Sequence, residues 1–125
     1  MSEQKNQELP VLYVVINNDL NMGKGKIAAQ VGHVIEDIIE ELVRAEMSST
    51  KKKSFLDDYK IWKYNGRAKI VLKGTTQELL QLCEVDGARY VRDAGKTQIE
   101  AGSLTAVGFF PSRTKKELLK NFKLL

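Results

Sequence analysis

The sequence predicts a single α/β domain built on a mixed four-stranded β-sheet with helices on both faces. Three observations lead there. The runs "VLYVVI" (11–16) and "AKIVLKG" (68–74) are apolar without alternation and rich in β-branched residues, as strands covered on both faces are. Between them lies a long segment whose apolar residues recur three and four apart, the helical period. The last two strand-like runs are joined by a short, glycine-containing stretch with no helical pattern, so that pair is either antiparallel or not adjacent.

In chain order, residues 1–9 read as a disordered leader and 10–125 as the folded domain. The first strand, 11–16, runs into "NNDLNMGKG", after which a helix begins. Ile27, Val31, Val34, Ile35, Ile38, Ile39, Leu42 and Val43 form its apolar stripe, and the pattern holds to about Met47. "SSTKKKS" (48–54) breaks it, and the polar-aromatic "FLDDYKIWKYNG" (55–66) leads to a turn at Asn65-Gly66. The second strand, 68–74, is followed by Thr75 and Glu78 at capping-box spacing, opening a helix over "LLQLCEV" that ends near Asp86-Gly87. "ARYVR" (88–92) and "SLTAVGFF" (103–110) are the third and fourth strands. Pro111 stops the fourth, and Thr114 with Glu117 starts a last amphipathic helix ending in "NFKLL". Strands separated by helices favour a mostly parallel sheet; the short link between the third and fourth makes it mixed.

The bulk numbers narrow the function classes. A chain of 125 residues with 42% hydrophobic and 29% charged residues has the make-up of a soluble globular protein. No apolar run approaches the ~18 residues of a membrane span, and the polar "MSEQKNQELP" is not a secretory signal. Cys83 and His33 are the single cysteine and histidine, which rules out an internal disulfide and argues against an all-protein zinc site. A cytoplasmic, reducing compartment is expected. The net charge of +4 mildly favours a polyanionic partner.

Three stretches carry chemistry. In "NMGKGKIAAQVGH" (21–33) a helix N-terminus, which attracts anions, coincides with two glycines and two lysines. Gly23 and Gly25 let a backbone approach a ligand closely, and Lys24 and Lys26 add full charges. The stretch is neither a Walker A loop nor a dinucleotide fingerprint. The alternative is a flexible turn with solvated lysines. Along the helix, Lys26, Gln30 and His33 fall on one polar strip, beside the small residues Ala28, Ala29 and Gly32. A polar strip is equally what any amphipathic helix shows. "RDAGKTQIEAGS" (92–103) leaves a strand and carries Asp93, Lys96, Thr97 and Gln98 on a glycine-bracketed loop. Asp-Ala-Gly also makes a plain turn. If the third strand runs parallel to the first, this loop and the Gly-Lys-Gly-Lys turn share one end of the sheet, where such folds hold ligands.

Taken together, "DLNMGKGKIAAQVGH", "WKYNGRAKIVLKG" and "RDAGKTQIEAGSLTAVGFFP" resemble the type II peptidyl-tRNA hydrolase family of archaea and eukaryotes, in order and from about residue 12 to the closing "KLL". The resemblance implies an enzyme that cleaves the ester joining a peptide to the 3′ end of tRNA. It further implies a homodimer with no metal and no organic cofactor. It points to Lys26, Asp93 and Thr97 as catalytic, with Gln30 in the same cleft. Ala68 and Ala101 stand where proline is usual, and the segment 46–60 does not match well. On that footing Lys26 would stabilise the oxyanion and Asp93 would hold the attacking water, directly or through Thr97. Gln30 and Gln98 would fix the ester or ribose, with Gly25 and His33 lining the same surface. Lys24, Lys69 and Lys96 would attract phosphates. The alternatives are a catalytically inactive RNA-binding module of the same fold and a non-catalytic adaptor.

Overall fold

The computed structural model describes residues 8–48, 53–95 and 99–125. The leader expected over 1–9 lies outside these up to residue 7; Glu8 and Leu9 are exposed. Among the described residues the chain forms β1 (Leu12–Asn17), a 3-10 turn (Asn18–Leu20), α1 (Lys24–Met47), α2 (Lys53–Tyr64), β2 (Lys69–Gly74), α3 (Thr76–Leu82), β3 (Ala88–Arg92), β4 (Leu104–Phe109) and β5 (Lys123–Leu124). None of these helices is long and apolar enough to cross a membrane.

β1 is buried along its whole length, as its unbroken apolar run requires. Its alternate residues serve two cores. Leu12, Val14 and Ile16 pack with Val34, Ile38 and Leu42 of α1 and with Tyr59 and Trp62 of α2. Tyr13 and Val15 pack on the opposite side with Leu79 and Leu82 of α3. Helices therefore cover both faces of an α/β mixed sheet.

The strand order is β3-β4-β1-β2-β5. β1 and β2 are parallel, whereas β4 runs antiparallel to both β1 and β3, and β5 antiparallel to β2. The sheet thus holds five strands rather than the four expected, and one parallel pair where mostly parallel pairing was the starting expectation. β3, two places from β1 across an antiparallel strand, points the same way as β1. The ends of β1, β2 and β3 consequently share one edge of the sheet.

The capping box of α3 forms as read: Glu78 N–H donates to Thr75 Oγ1 (3.1 Å) and Thr75 N–H donates to Glu78 Oε1 (2.9 Å). The helix stops at Leu82, earlier than expected, and turns continue to Gly87, whose φ is +86°. The last amphipathic helix does not form. Thr114 N–H donates to Ser112 Oγ (2.9 Å) and its hydroxyl lies 2.8 Å from the same atom, so the expected cap is spent locally. Glu117 takes the Lys120 ammonium instead of capping (2.5 Å). Both ends of the segment are also tethered, by the Val11–Ser112 bridge and by β5 on β2. Leu119 is buried in the α3-side core, so tertiary pairing overrides a modest helical preference.

Gly108 sets how closely α1 approaches β4. A Cβ there would lie 3.0 Å from Val34 Cγ2 and 3.1 Å from Ile38 Cδ1. Gly108→Val should lower unfolding free energy by about 1–3 kcal/mol in denaturant melts. Adding Val34→Ala to that variant should recover part of the loss, although Val34→Ala alone destabilises; strictly additive losses would contradict this packing.

Candidate active site

The site grows from the end of β1. Asn17 is 1% exposed. Its Nδ2 donates to Leu104 O (2.9 Å) and Thr76 Oγ1 (2.8 Å), and its Oδ1 accepts from Asp19 N–H (3.0 Å). One side chain therefore fixes the start of β4, the start of α3 and the 3-10 turn. The chain then bends through Asn21 (φ +51°), buries Met22, and starts α1 after the N-cap Gly23, which has no side-chain oxygen to offer. Lys24, Gly25 and Lys26 make the first turn.

Lys26 reaches from that turn to Asp93, just beyond β3. Its Nζ forms an ion pair with Asp93 Oδ1, the two side chains being 11% and 3% exposed. Asp93 is held at every polar atom. Its N–H donates to Ser103 O (2.8 Å), its carbonyl accepts from Gly102 N–H (2.9 Å), and Oδ2 accepts from Gly95 N–H (2.6 Å). That last bond closes an Asx-type turn. Gly95 has φ +82°, and a Cβ on it would sit 2.4 Å from Ala101 Cβ, so glycine is required there.

One turn beyond Lys26, Gln30 is 4% exposed and accepts from Thr105 Oγ1 (2.5 Å), which also lies 3.1 Å from Val91 O. Gln30 is thus not on an open polar strip. It heads the buried row that Val34, Ile38 and Leu42 continue, and it pins the start of α1 to β4. Lys24 and Gly25 are exposed beside the ion pair, and His33 is exposed two turns farther along, about 10 Å from Lys26 by helical rise. Lys69 does not join them. It pairs in register with Leu12 at the opposite end of the sheet, about 17 Å away by strand rise. Its ammonium donates to Arg67 O (3.1 Å) and lies 5.3 Å from the Trp62 ring centre. Lys96, Thr97 and Gln98 lie outside the described residues. Sequence reading missed Asn17 and Thr105; a polar residue ending or interrupting a fully apolar strand was the available signal.

Residues 10–125 match the family model Peptidyl-tRNA hydrolase PTH2. The chain belongs to this family. It is similar to the peptidyl-tRNA hydrolase of Methanococcus vannielii, 42% identical over 120 residues that cover 90% of this chain and 96% of the relative. It is also 40% identical to that of Sulfolobus acidocaldarius, over 86% of this chain and 90% of the relative. The probable peptidyl-tRNA hydrolase 2 of Caenorhabditis elegans is 40% identical over 79% of this chain, which is 31% of that longer protein. The PTH2 match spans both halves of the ion pair.

In this PTH2 chain the Lys26 hydrogen bond is the main force holding the Asp93 carboxyl below its ordinary value of 3.8. Burial opposes the shift, while the Gly95 N–H and the lysine charge add to it. Asp93 is therefore a carboxylate throughout the neutral range. Because the folded chain binds this proton less tightly than the unfolded one, the stabilisation is complete above the ordinary carboxylate range. It is lost as pH falls through the lowered value. Carboxyl-carbon NMR titration should put Asp93 below 3.8 in the wild type and move it upward in Lys26→Met; an unchanged midpoint would contradict this origin of the shift.

Proposed function

We propose that this chain hydrolyses the ester between peptide and tRNA in peptidyl-tRNA, which recycles the tRNA. The observation that carries the proposal is the Lys26–Asp93 ion pair at the start of α1, in a chain that belongs to the PTH2 family. The relatives' name, peptidyl-tRNA hydrolase, supports the same reading.

Ester hydrolysis needs a positioned water and a donor for the oxyanion that develops on the carbonyl oxygen. Lysine has three N–H donors, and the bond to Asp93 uses one of them. The others are available to the ester carbonyl, assisted by the electropositive end of α1. Asp93, kept ionised, accepts a hydrogen from water and orients it; so weakly basic a carboxylate is a poor proton acceptor at neutral pH. Water adds to the carbonyl carbon, the bond to the ribose oxygen breaks, and the proton that water gives up is returned to that oxygen. Thr97 enters as a second group on the water on the strength of the family resemblance, and Lys96 and Gln98 as substrate contacts by their charge and hydrogen-bonding capacity on the same loop. Lys24 and Gly25 meet the 3′ end of the tRNA, with His33 farther along the same helix. Gln30 acts as a positioning residue through Thr105. Lys69, at the opposite end of the sheet, serves only parts of the tRNA distant from the ester. The same resemblance supports a homodimer of single-domain subunits needing no cofactor, and the lone cysteine supports a cytoplasmic setting.

Free tRNA should appear when the protein is incubated with an N-acetylated aminoacyl-tRNA, and Asp93→Ala should lower kcat about 100-fold or more. No release by the wild type would refute the proposal. Lys26→Ala should act on kcat and Lys24→Ala on KM; equal losses in both parameters for both variants would contradict that division.

A further inference from the structure

One row across the sheet changes character along its length. Val91 of β3 pairs with Ala106 of β4, Ala106 with Ile16 of β1, Ile16 with Lys73 of β2, and Lys73 with Lys123 of β5. Residues directly opposite share a face. Val91, Ala106 and Ile16 lie in the core beneath α1, so Lys73 and Lys123 continue the same face beyond the helix. They border a cleft of about 260 Å³ between the 3-10 turn and β5, at the sheet end that holds Lys26 and Asp93.

Two lysines opposite each other on neighbouring strands repel, and folding alone gains nothing from the arrangement. Among the described residues neither ammonium has an ion pair or side-chain hydrogen bond. Two carboxylates line the same cleft, and each accepts a backbone N–H without pairing with either lysine. Asp19 Oδ2 accepts from Thr76 N–H (2.8 Å), and Glu78 Oε1 accepts from Thr75 N–H (2.9 Å). Lys73 is half-buried, and Lys123 is exposed on the edge strand. The amides of Asn18 and Asn121 line the same cleft and can donate as well.

We infer that Lys73 and Lys123 form a phosphate-binding subsite for the tRNA strand that leads to the scissile ester. The inference rests on the peptidyl-tRNA reading above and adds a contact to it. From Val91, which precedes Asp93 by two residues, Lys73 is three strand spacings away and Lys123 four, about 14 and 19 Å. At about 3.4 Å per nucleotide along a stacked strand, that is roughly four to six nucleotides back from the ester. The subsite therefore acts on nucleic acid and not on the reacting atoms. It separates substrates that possess this strand from those that end short of it.

The test compares the wild type with Lys73→Gln/Lys123→Gln on two substrates, N-acetyl-aminoacyl-tRNA and the same acyl ester of the 3′-terminal nucleoside alone. With tRNA the double variant should raise KM roughly fivefold at low salt, as two exposed charge pairings warrant, and leave kcat unchanged. The slope of log KM against log salt should become shallower by about 1–2, one for each phosphate that no longer meets a lysine. With the nucleoside ester its kinetics should equal those of the wild type, and its melting temperature should not fall. A wild type that cleaves tRNA, beside a double variant with the same KM and salt slope, overturns the subsite and leaves the hydrolase intact. Equal effects on both substrates overturn it too, because the lysines would then act at the reacting end. A wild type that cleaves neither substrate removes the hydrolase and the subsite together.

Discussion

A lysine and an aspartate separated by 67 positions meet here in an ion pair that water barely reaches, and the arrangement of the strands is what permits the meeting. Asp93 follows β3, and Lys26 follows β1 by way of a short bend. They come to the same end of the sheet because β4 lies between β1 and β3, antiparallel to both. With β3 reversed, the carboxylate would sit a strand's length from the ammonium. Each partner also depends on the other. A charge buried without its partner costs far more than the pair contributes, so removing one leaves the other exposed to the full penalty of desolvation.

The surrounding contacts keep that pair in one geometry. Asn17 ties the end of β1 to β4 and α3, Gln30 and Thr105 tie the start of α1 to β4, and Gly95 lets the Asp93 turn close against Ala101. Gly108 lets α1 pack closely on the sheet at Val34 and Ile38. The Asn17 and Gln30–Thr105 contacts pair buried polar side chains with partners inside the chain, so they rigidify rather than merely stabilise. A site for ester hydrolysis gains from such preorganisation, since its donors need not reorient as charge develops.

The legible parts of the sequence were those where one local signal decides the outcome. The unbroken apolar run of β1, the long period of α1 and the Thr75–Glu78 box all left their mark in a single window of residues. The convergence of Gly-Lys-Gly-Lys with Asp93 was legible only conditionally, because strand direction is a property of the whole sheet. β5 was not legible at all: Lys123 and Leu124 carry no strand pattern, and pairing with β2 makes them one. The segment after Pro111 had the right spacing for a capped helix, but Ser112 captured the threonine that should have capped it. Gln30 looked like part of a polar strip because a helical wheel does not know that Thr105 waits on the facing strand. A buried polar residue on a strand is visible in sequence only as an interruption, and its partner is not visible.

The most direct test of the central claim is a double-mutant cycle on turnover of N-acetyl-aminoacyl-tRNA, combining Lys26→Met and Asp93→Asn. If the two side chains act as one unit, the double variant should be about as slow as the slower single variant, since the second change removes nothing further. Losses that multiply would show two residues working independently, and the ion pair would then be a structural contact and not the centre of the chemistry.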